Sequence, residues 1–536
     1  MKIVPSSRDE WMAAACAVVS ALLLFAVFPP LEWTWAAGVA LVPLLVMARR
    51  APEQMAQKMG FTAGFLFWLL SIRWLTHVTV VGWIFLSAYC ALYMLPAVRL
   101  ANRWRGGAAG FAGSLAVVWC GCEFLRGWIG GGFPWNPLGA GLTPWLPGIQ
   151  IAEFGGVWLV SGLVVFANAL LAWAIAERRG RASLAICAVV VAAVVGWGAW
   201  RVHQLESDQD RAQRARLQQD GSVVAAPAGR GVLSERSIRL ALVQTSIPQD
   251  EKWVASKITM IYERLLDLTR KAQADPAVEL VIWPETALPD DVRNSEPSYS
   301  LVWNLCTNGT QILTGSLDTS VLDTSEPLYF NSAFLFDEEG MIIGEYDKRH
   351  LVVFGEFIPF DRWLPWSWRS ALRMPLSISA GKEGAVFHAG KGQIPLAPLI
   401  CFEDILPYLA RADVRAGARM LVNITNDAWF DAVLAPHQHM RNAVLRAVEN
   451  RVPLVRAANT GVSCVIEPSG RVAAFLSDGA GRTDASGVLW ADVAVPPDGA
   501  PLTFYARFGD MYGIACAAAT VLWLAAARWK RKKLRV

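Results

Sequence analysis

Cys401 ends a short apolar run, Pro398-Leu399-Ile400-Cys401-Phe402-Glu403-Asp404, which gives way at once to two carboxylates. Such a run reads as a buried strand delivering its last side chain to the rim of a sheet. Two upstream segments end in the same manner. Val281-Ile282-Trp283-Pro284-Glu285 offers a carboxylate, and Gly344-Glu345-Tyr346-Asp347-Lys348-Arg349-His350 offers an ammonium. Together they are the inventory for acyl transfer through cysteine: a nucleophile, a proton acceptor and a cation for the developing oxyanion. Singly, each has a plainer reading. A buried cysteine is more often core filler than nucleophile, Glu285 could cap a helix after Pro284, and Lys348 could belong to a solvated charge run. The three in this order favour chemistry. A free thiol is only a few per cent ionised at neutral pH, so it needs an adjacent base and cation. A lone desolvated Glu or Lys at a strand end would be costly, so mutual pairing is expected.

The elements that must position these groups come in two kinds. Hydrophobic residues make up 54% of the 536-residue chain and charged residues 18%, a bias toward membrane spans rather than several soluble cores. Seven apolar stretches of spanning length fall near 11–28, 31–48, 60–76, 80–98, 108–126, 156–177 and 183–202, and an eighth near 510–527. Lys2 and Arg8 precede the first, but Phe28-Pro29-Pro30-Leu31-Glu32-Trp33 offers no small-x-small cleavage site, so it reads as an uncleaved span. Arg49, Arg50 and Lys58 follow the second span, Arg99, Arg103 and Arg105 the fourth, and Arg178, Arg179 and Arg181 the sixth. The tail from Arg528 to Arg535 is basic as well. Alternation of basic and nearly uncharged loops puts both termini in the cytoplasm and the segment between the last two spans outside. Trp is abundant, at 25 residues, which suits interfacial anchoring. A Gly/Pro/Trp-rich stretch, Gly130 to Pro147, reads equally as a connecting loop or as a re-entrant segment. Nine cysteines with no CxxC pair suggest neither zinc nor a disulfide framework.

Between spans seven and eight the periodicity changes. A polar linker at 203–236 leads into Ile238–Gln244, which alternates like a strand, and Trp253–Lys271, which carries helical spacing. Strand-like and helical segments then follow one another through Glu279–Glu285, Gln311–Gly315, Ser332–Asp337, Leu396–Cys401, Arg419–Ile424 and His437–Asn450, the pattern of a sheet with helices on its faces. His437 and His439 lack a third ligand nearby, which makes zinc a poor reading and hydrogen bonding at a helix start the better one.

Trp283-Pro284-Glu285, Tyr346-Asp347-Lys348-Arg349-His350-Leu351 with Phe354-Gly355-Glu356, and Ile400-Cys401-Phe402-Glu403 resemble the motifs of the nitrilase superfamily. With the membrane half, Phe133-Pro134-Trp135, Asn426-Asp427-Ala428-Trp429-Phe430 and Pro436-His437-Gln438-His439, essentially the whole chain resembles the apolipoprotein N-acyltransferases. The resemblance implies a polytopic α-helical membrane domain of about eight spans plus an extramembrane α/β nitrilase-like α-β-β-α sandwich. Its boundaries would be 1–202 for helices one to seven, 203–236 for the linker, 237–509 for a periplasmic catalytic domain and 510–536 for the last helix and basic tail. Cys401 would be the nucleophile, Glu285 the general base and Lys348 the oxyanion cation, with Glu356 and Glu403 supporting them. Trp253, Phe402, Trp429 and Trp135 would line the substrate path. Phe402 stands where tyrosine is usual, Val353 where proline is common, and Asp431 where glycine usually follows Trp-Phe. These departures touch loop motion and lipid preference rather than reaction class.

The activity so implied is transfer of an acyl chain from a phospholipid, with phosphatidylethanolamine the expected donor, through a cysteine thioester to the α-amino group of a diacylglyceryl-cysteine at an apolipoprotein's N-terminus. No cofactor, metal or nucleic acid is expected, and a monomer in the bacterial inner membrane suffices. The other enzymatic reading is a membrane-tethered amidase or nitrilase that hydrolyses a small amide with the same triad. A transporter or scaffold ranks last, since no charged pair sits mid-span to suggest an ion path.

Overall fold

The computed structural model describes residues 8–177, 180–219, 236–320, 327–353, 355–357, 378–430 and 433–533. Lys2, Arg178, Arg179, the stretch 220–235 of the expected linker, Phe354, Asp431 and the tail residues 534–536 lie outside the described residues. The chain forms two compact units, one of Met1–Gln204 with Thr503–Val536, the other of Leu205–Leu502.

The first unit is helical. Among the described residues six helices are long and apolar enough to cross a membrane: Arg8–Val27, Val80–Arg103, Ala108–Arg126, Ala152–Glu177, Arg181–Ser207 and Met511–Trp529. Two of the expected spans take another form. Residues 31–48 are divided between a 3-10 turn, Thr34–Gly38, and a helix of nine residues, Val42–Arg50. The third runs Glu53–Ser71 and opens on polar side chains, Glu53, Gln54, Gln57 and Lys58, which lower its mean apolarity. Helix Ala108–Arg126 approaches helix Met511–Lys533 so closely that a Cβ on Gly121 would collide with Thr520 and Cys516. Small residues at such crossings let helices pack where apolar surroundings supply no other drive.

The Gly/Pro/Trp-rich stretch is drawn into this unit, with Trp135 to Thr143 buried. Irregular backbone needs internal hydrogen-bond partners in such surroundings. They come from three side chains. Arg126 donates to the carbonyls of Phe133 and Trp135 at 2.7 and 2.9 Å. Glu123 accepts from Leu138 N–H at 2.8 Å, and Ser161 accepts from Gly139 N–H at 2.8 Å. Glu123, Arg126 and Ser161 thus hold this buried segment in place.

The second unit holds twelve strands among the described residues: β1 Arg236–Gln244, β2 Leu280–Ile282, β3 Gln311–Ser320, β4 Leu328–Phe336, β5 Ile342–Asp347, β6 Phe387–Ala389, β7 Ile394–Ile400, β8 Met420–Thr425, β9 Leu454–Ala458, β10 Cys464–Ile466, β11 Val472–Phe475 and β12 Gly487–Val495. They make two six-stranded sheets, ordered β12-β1-β2-β3-β4-β5 and β11-β10-β9-β8-β7-β6. β1, β2 and β3 pair in parallel, as do β7, β8 and β9, and antiparallel strands complete both sheets. All seven residues of β7 are buried, which is why it reads as one apolar run. In β1 the period of two divides the side chains. Ile238, Leu240 and Leu242 face a core shared with Leu396, Ile400, Val422 and Val455 of the other sheet. Ala241 and Val243 face Ile261, Leu265, Val302 and Leu305 of helices Ile258–Gln273 and Glu296–Cys306. Helices Pro407–Arg415 and Leu434–Asn450 contact β7 and β9 of the second sheet. The result is an α-β-β-α sandwich.

Candidate active site

Parallel strands in a sandwich expose their carboxyl ends along a common edge, and each candidate residue sits just past such an end or at the end of the neighbouring hairpin. Glu285 lies three residues beyond β2, Lys348 one beyond β5, and Cys401 one beyond β7. Cys401 has φ +52°, a left-handed conformation that residues bearing a Cβ rarely adopt. The turn is held by side chains: Glu403 accepts from Ile400 N–H at 2.8 Å, and Asn423 donates to the carbonyl of Cys401 at 3.0 Å. A conformation that costs roughly 1–3 kcal/mol persists only where its surroundings over-determine it.

Lys348 is 1% exposed, and its Nζ lies 2.7 Å from Glu356 Oε1 and 3.5 Å from Glu285 Oε1. Burial works against this ammonium, but the carboxylates of Glu356 and Glu285 outweigh it and hold its pKa above the ordinary lysine value. Burial pushes the Cys401 thiol well above its ordinary range, and the Glu285 carboxylate adds to that push. Lys348 and a hydrogen bond with Thr425 act in the opposite sense. The resting thiol is therefore protonated, with a carboxylate and an ammonium both close enough to act on it. The three groups expected from the motifs come together.

Asn331, on the inner face of β4, completes the cluster. Its amide donates to Glu285 Oε1 at 2.7 Å and to Glu356 Oε1 at 3.2 Å, while its carbonyl accepts from Lys348 N–H at 2.9 Å. Sequence reasoning missed it. A signal was present: residues 331, 333 and 335 share the inner face, where Ala333 and Leu335 are core and an amide is out of pattern. Lys252 was missed too. It is 2% exposed, and its Nζ donates to the Glu285 carbonyl at 3.0 Å. Burial drops its pKa to about 8, against the opposing influence of Glu285 and Cys401.

The two supporting carboxylates differ in task. Glu356 touches Lys348 directly and accepts from Val352 N–H at 2.8 Å. Glu403, fully buried, gathers four donors: Tyr346 O–H at 2.6 Å, Ile400 N–H at 2.8 Å, Arg349 N–H at 2.8 Å and His350 N–H at 3.0 Å. It thus ties the segment after β5, which carries Lys348, to the turn that carries Cys401. Burial raises its pKa, and the hydrogen bonds from Ile400 and Tyr346 work against that rise.

Of the aromatic candidates, Phe402 stacks on the His350 ring with centroids 6.2 Å apart. Trp253 and Trp429 are about half exposed. Each is a near chain neighbour of a group that acts on the thiol, Lys252 in one case and Asp427 in the other. Trp135 belongs to the helical unit, where it is buried against Phe133 and Trp74. His439 departs from the expected hydrogen bonding at a helix start. It lies within helix Leu434–Asn450, with its ring nitrogens 2.9 Å from Asp404 Oδ1 and from Asp427 Oδ1. His437 meets Thr483 at 3.4 Å.

Residues 239–495 match the family model described as carbon-nitrogen hydrolase, and residues 20–170 match the one described as apolipoprotein N-acyltransferase N-terminal domain. An apolipoprotein N-acyltransferase of Geobacter metallireducens is 34% identical over 98% of this chain and 96% of its own length. Another, of Bradyrhizobium diazoefficiens, is 33% identical over 84% of this chain and 79% of its own. A solved nitrilase-superfamily structure from Saccharomyces cerevisiae is 19% identical, covers 50% of this chain and 93% of its own, and has a TM-score of 0.36.

Proposed function

The chain belongs to the apolipoprotein N-acyltransferases, and from that premise we propose how its buried charges carry out the acyl transfer. It is a membrane enzyme with a lipid acyl donor and a lipoprotein acceptor. The single observation that carries the residue assignment is the Lys348 ammonium held between Glu285 and Glu356 with the Cys401 thiol within their electrostatic reach. In the first half-reaction Glu285 takes the proton from Sγ, and the sulfur forms a bond to the ester carbonyl carbon of the donor. Lys348 faces the resulting oxyanion. The carbon–oxygen bond then breaks, and the lysophospholipid oxygen leaves with the proton from Glu285. In the second half-reaction the α-amine of the acceptor attacks the thioester carbonyl, its proton passes to Glu285, and the thiolate leaves and is reprotonated. Phosphatidylethanolamine is our choice of donor. Trp253, Phe402, Trp429 and Trp135 are our choices for the substrate path.

The same reading divides the chain into membrane segments at 1–202 and 510–536, a linker at 203–236 and a catalytic domain at 237–509. Basic loops after alternate spans support an inner-membrane protein with both termini cytoplasmic and the catalytic domain periplasmic, and a monomer is our choice of oligomeric state. The test of function is incubation of purified protein with labelled phosphatidylethanolamine, with and without a lipopeptide. An adduct of one acyl group on Cys401, removable by hydroxylamine, stable in water and discharged to the lipopeptide amine, is expected. An adduct on Cys306 or Cys464 removes the assignment. For orientation, a cysteine introduced between 210 and 230 should label from outside intact cells, and one placed after Arg535 should not.

A further inference from the structure

A second ionic cluster lies beneath the Cys401 turn, and the acyl-transfer scheme makes no use of it. It unites four elements. Asp404 belongs to the 3-10 turn Cys401–Ile405, Asp427 to the turn Asp427–Trp429, His439 to helix Leu434–Asn450 and Arg456 to β9. All four side chains are at most 3% exposed. His439 Nδ1 and Asp427 Oδ1 are 2.9 Å apart and hydrogen-bonded, and His439 Nε2 lies 2.9 Å from Asp404 Oδ1. Arg456 pairs with Asp404 and lies 3.6 Å from Asp427 Oδ2. Asp427 in turn raises the Cys401 pKa, so its charge is felt at the thiol.

Two buried carboxylates against one guanidinium would leave a net negative charge under a sulfur that must become a thiolate. A protonated imidazole closes that gap. We propose that His439, held as an imidazolium between Asp404 and Asp427, is a positioning residue that joins the Cys401 turn to the Trp429 turn and cancels the carboxylate charge beneath the thiol. The inference rests on the reading of Cys401 as the acyl-accepting sulfur. Arg446 and Cys464, two titratable groups near the cluster, do not substitute for the imidazolium. On the same helix Arg446 is engaged by Glu449 at 2.7 Å and by the Ile405 carbonyl at 3.0 Å, and Cys464 on β10 is a buried thiol whose pKa burial raises to about 12. Burial opposes the imidazolium, and so does Arg456, but Asp404 and Asp427 lift the His439 pKa to about 9. The imidazolium therefore persists across the physiological range.

The test is the pH dependence of Cys401 alkylation by iodoacetamide in the purified full-length protein, read by mass spectrometry of the Cys401 peptide. His439→Gln leaves the cluster with one negative charge in excess. Its alkylation at pH 7.5 should be slower by roughly tenfold, the effect of about one pK unit, with the profile moved to higher pH. Asp404→Asn in the same protein restores neutrality, so the double variant should recover most of the lost rate. A purely structural role predicts the reverse, because the double variant removes more contacts. Asp404→Asn alone leaves one positive charge in excess and should speed alkylation, which decides the matter if His439→Gln does not fold. An unchanged profile for His439→Gln, a double variant no faster than His439→Gln, or an Asp404→Asn protein that does not react faster overturns the proposal. Failure of wild-type Cys401 to take up an acyl group would instead remove the underlying assignment while leaving the alkylation series readable.

Discussion

The two ionic clusters that act on Cys401 are built from the same materials and differ in how their charges are held. The Glu285–Lys348–Glu356 cluster sets one ammonium between two carboxylates, with Asn331 as the shared donor and the buried Lys252, whose pKa burial lowers to about 8, as a second amine beside Glu285. The Asp404–Asp427–His439–Arg456 cluster sets two cations against two carboxylates. In the first cluster a carboxylate can take the proton from sulfur with no change in net charge. The second gains nothing by exchanging protons. Burial makes any unpaired charge expensive, and the two clusters meet that demand differently: the first keeps an amine whose pKa burial lowers, the second an imidazole whose pKa its carboxylates raise.

Substitutions can break that contrast, beginning with the sulfur that both clusters serve. Cys401→Ala should abolish acyl-enzyme formation entirely while leaving membrane insertion intact. Lys348→Met should slow loading by about 100- to 1,000-fold, the usual effect of losing a preorganised oxyanion partner. Glu285→Gln should cost on the order of 100-fold through loss of the base. Both are read as loading of Cys401 in single turnover, and a Glu285→Gln protein that loads at the wild-type rate removes Glu285 from its role. Asn331→Ala sharpens the comparison from within the reactive cluster. It takes a donor from two carboxylates at once, and hydrogen bonds to charged groups contribute about 1.5–3 kcal/mol each. Loading should fall by roughly 10- to 100-fold, with Asn331→Asp worse than Asn331→Ala because it adds a like charge.

The second cluster should announce itself in stability rather than rate. The His439 pKa is about 9 in the folded protein against an ordinary value of 6.5. Below pH 6.5 both states carry the proton, and the stabilisation is fully present. As pH rises from 6.5 through 9 the unfolded chain releases the proton first, so stability falls across that window, by an amount on the order of 3 kcal/mol. Thermal unfolding of the purified protein at pH 6, 7.5 and 9 should show this decline, and His439→Gln should flatten it. A decline that His439→Gln leaves unchanged would place the imidazole in its neutral form.

Much of this was legible in the chain. β7 is apolar at every position because both its faces are buried, and its abrupt end at a thiol named the site. Glu285 and Lys348 were recognisable as candidates for the same reason, since each lies where an apolar strand pattern yields to a charged side chain. Spans such as Ala108–Arg126 appear where their composition put them. Less legible were Thr34–Gly38 and Val42–Arg50, where apolar composition alone does not distinguish one spanning helix from a short turn and a short helix. Asn331 was hidden as one polar residue in a strand, and Lys252 as one lysine beside a tryptophan.

What the sequence determined by itself is the chemistry on offer: residue types, their order along the chain, and the alternation of apolar pattern that puts each at the end of a strand. Only the tertiary structure decided which charges are paired. Glu403 reaches back to His350 and Arg349, 53 and 54 residues away, and His439 meets carboxylates from two different turns. Local periodicity encodes which face a side chain occupies, because that depends on neighbours two to four positions away. Charge pairing depends on the packing of whole sheets and helices, and no local pattern carries that distance.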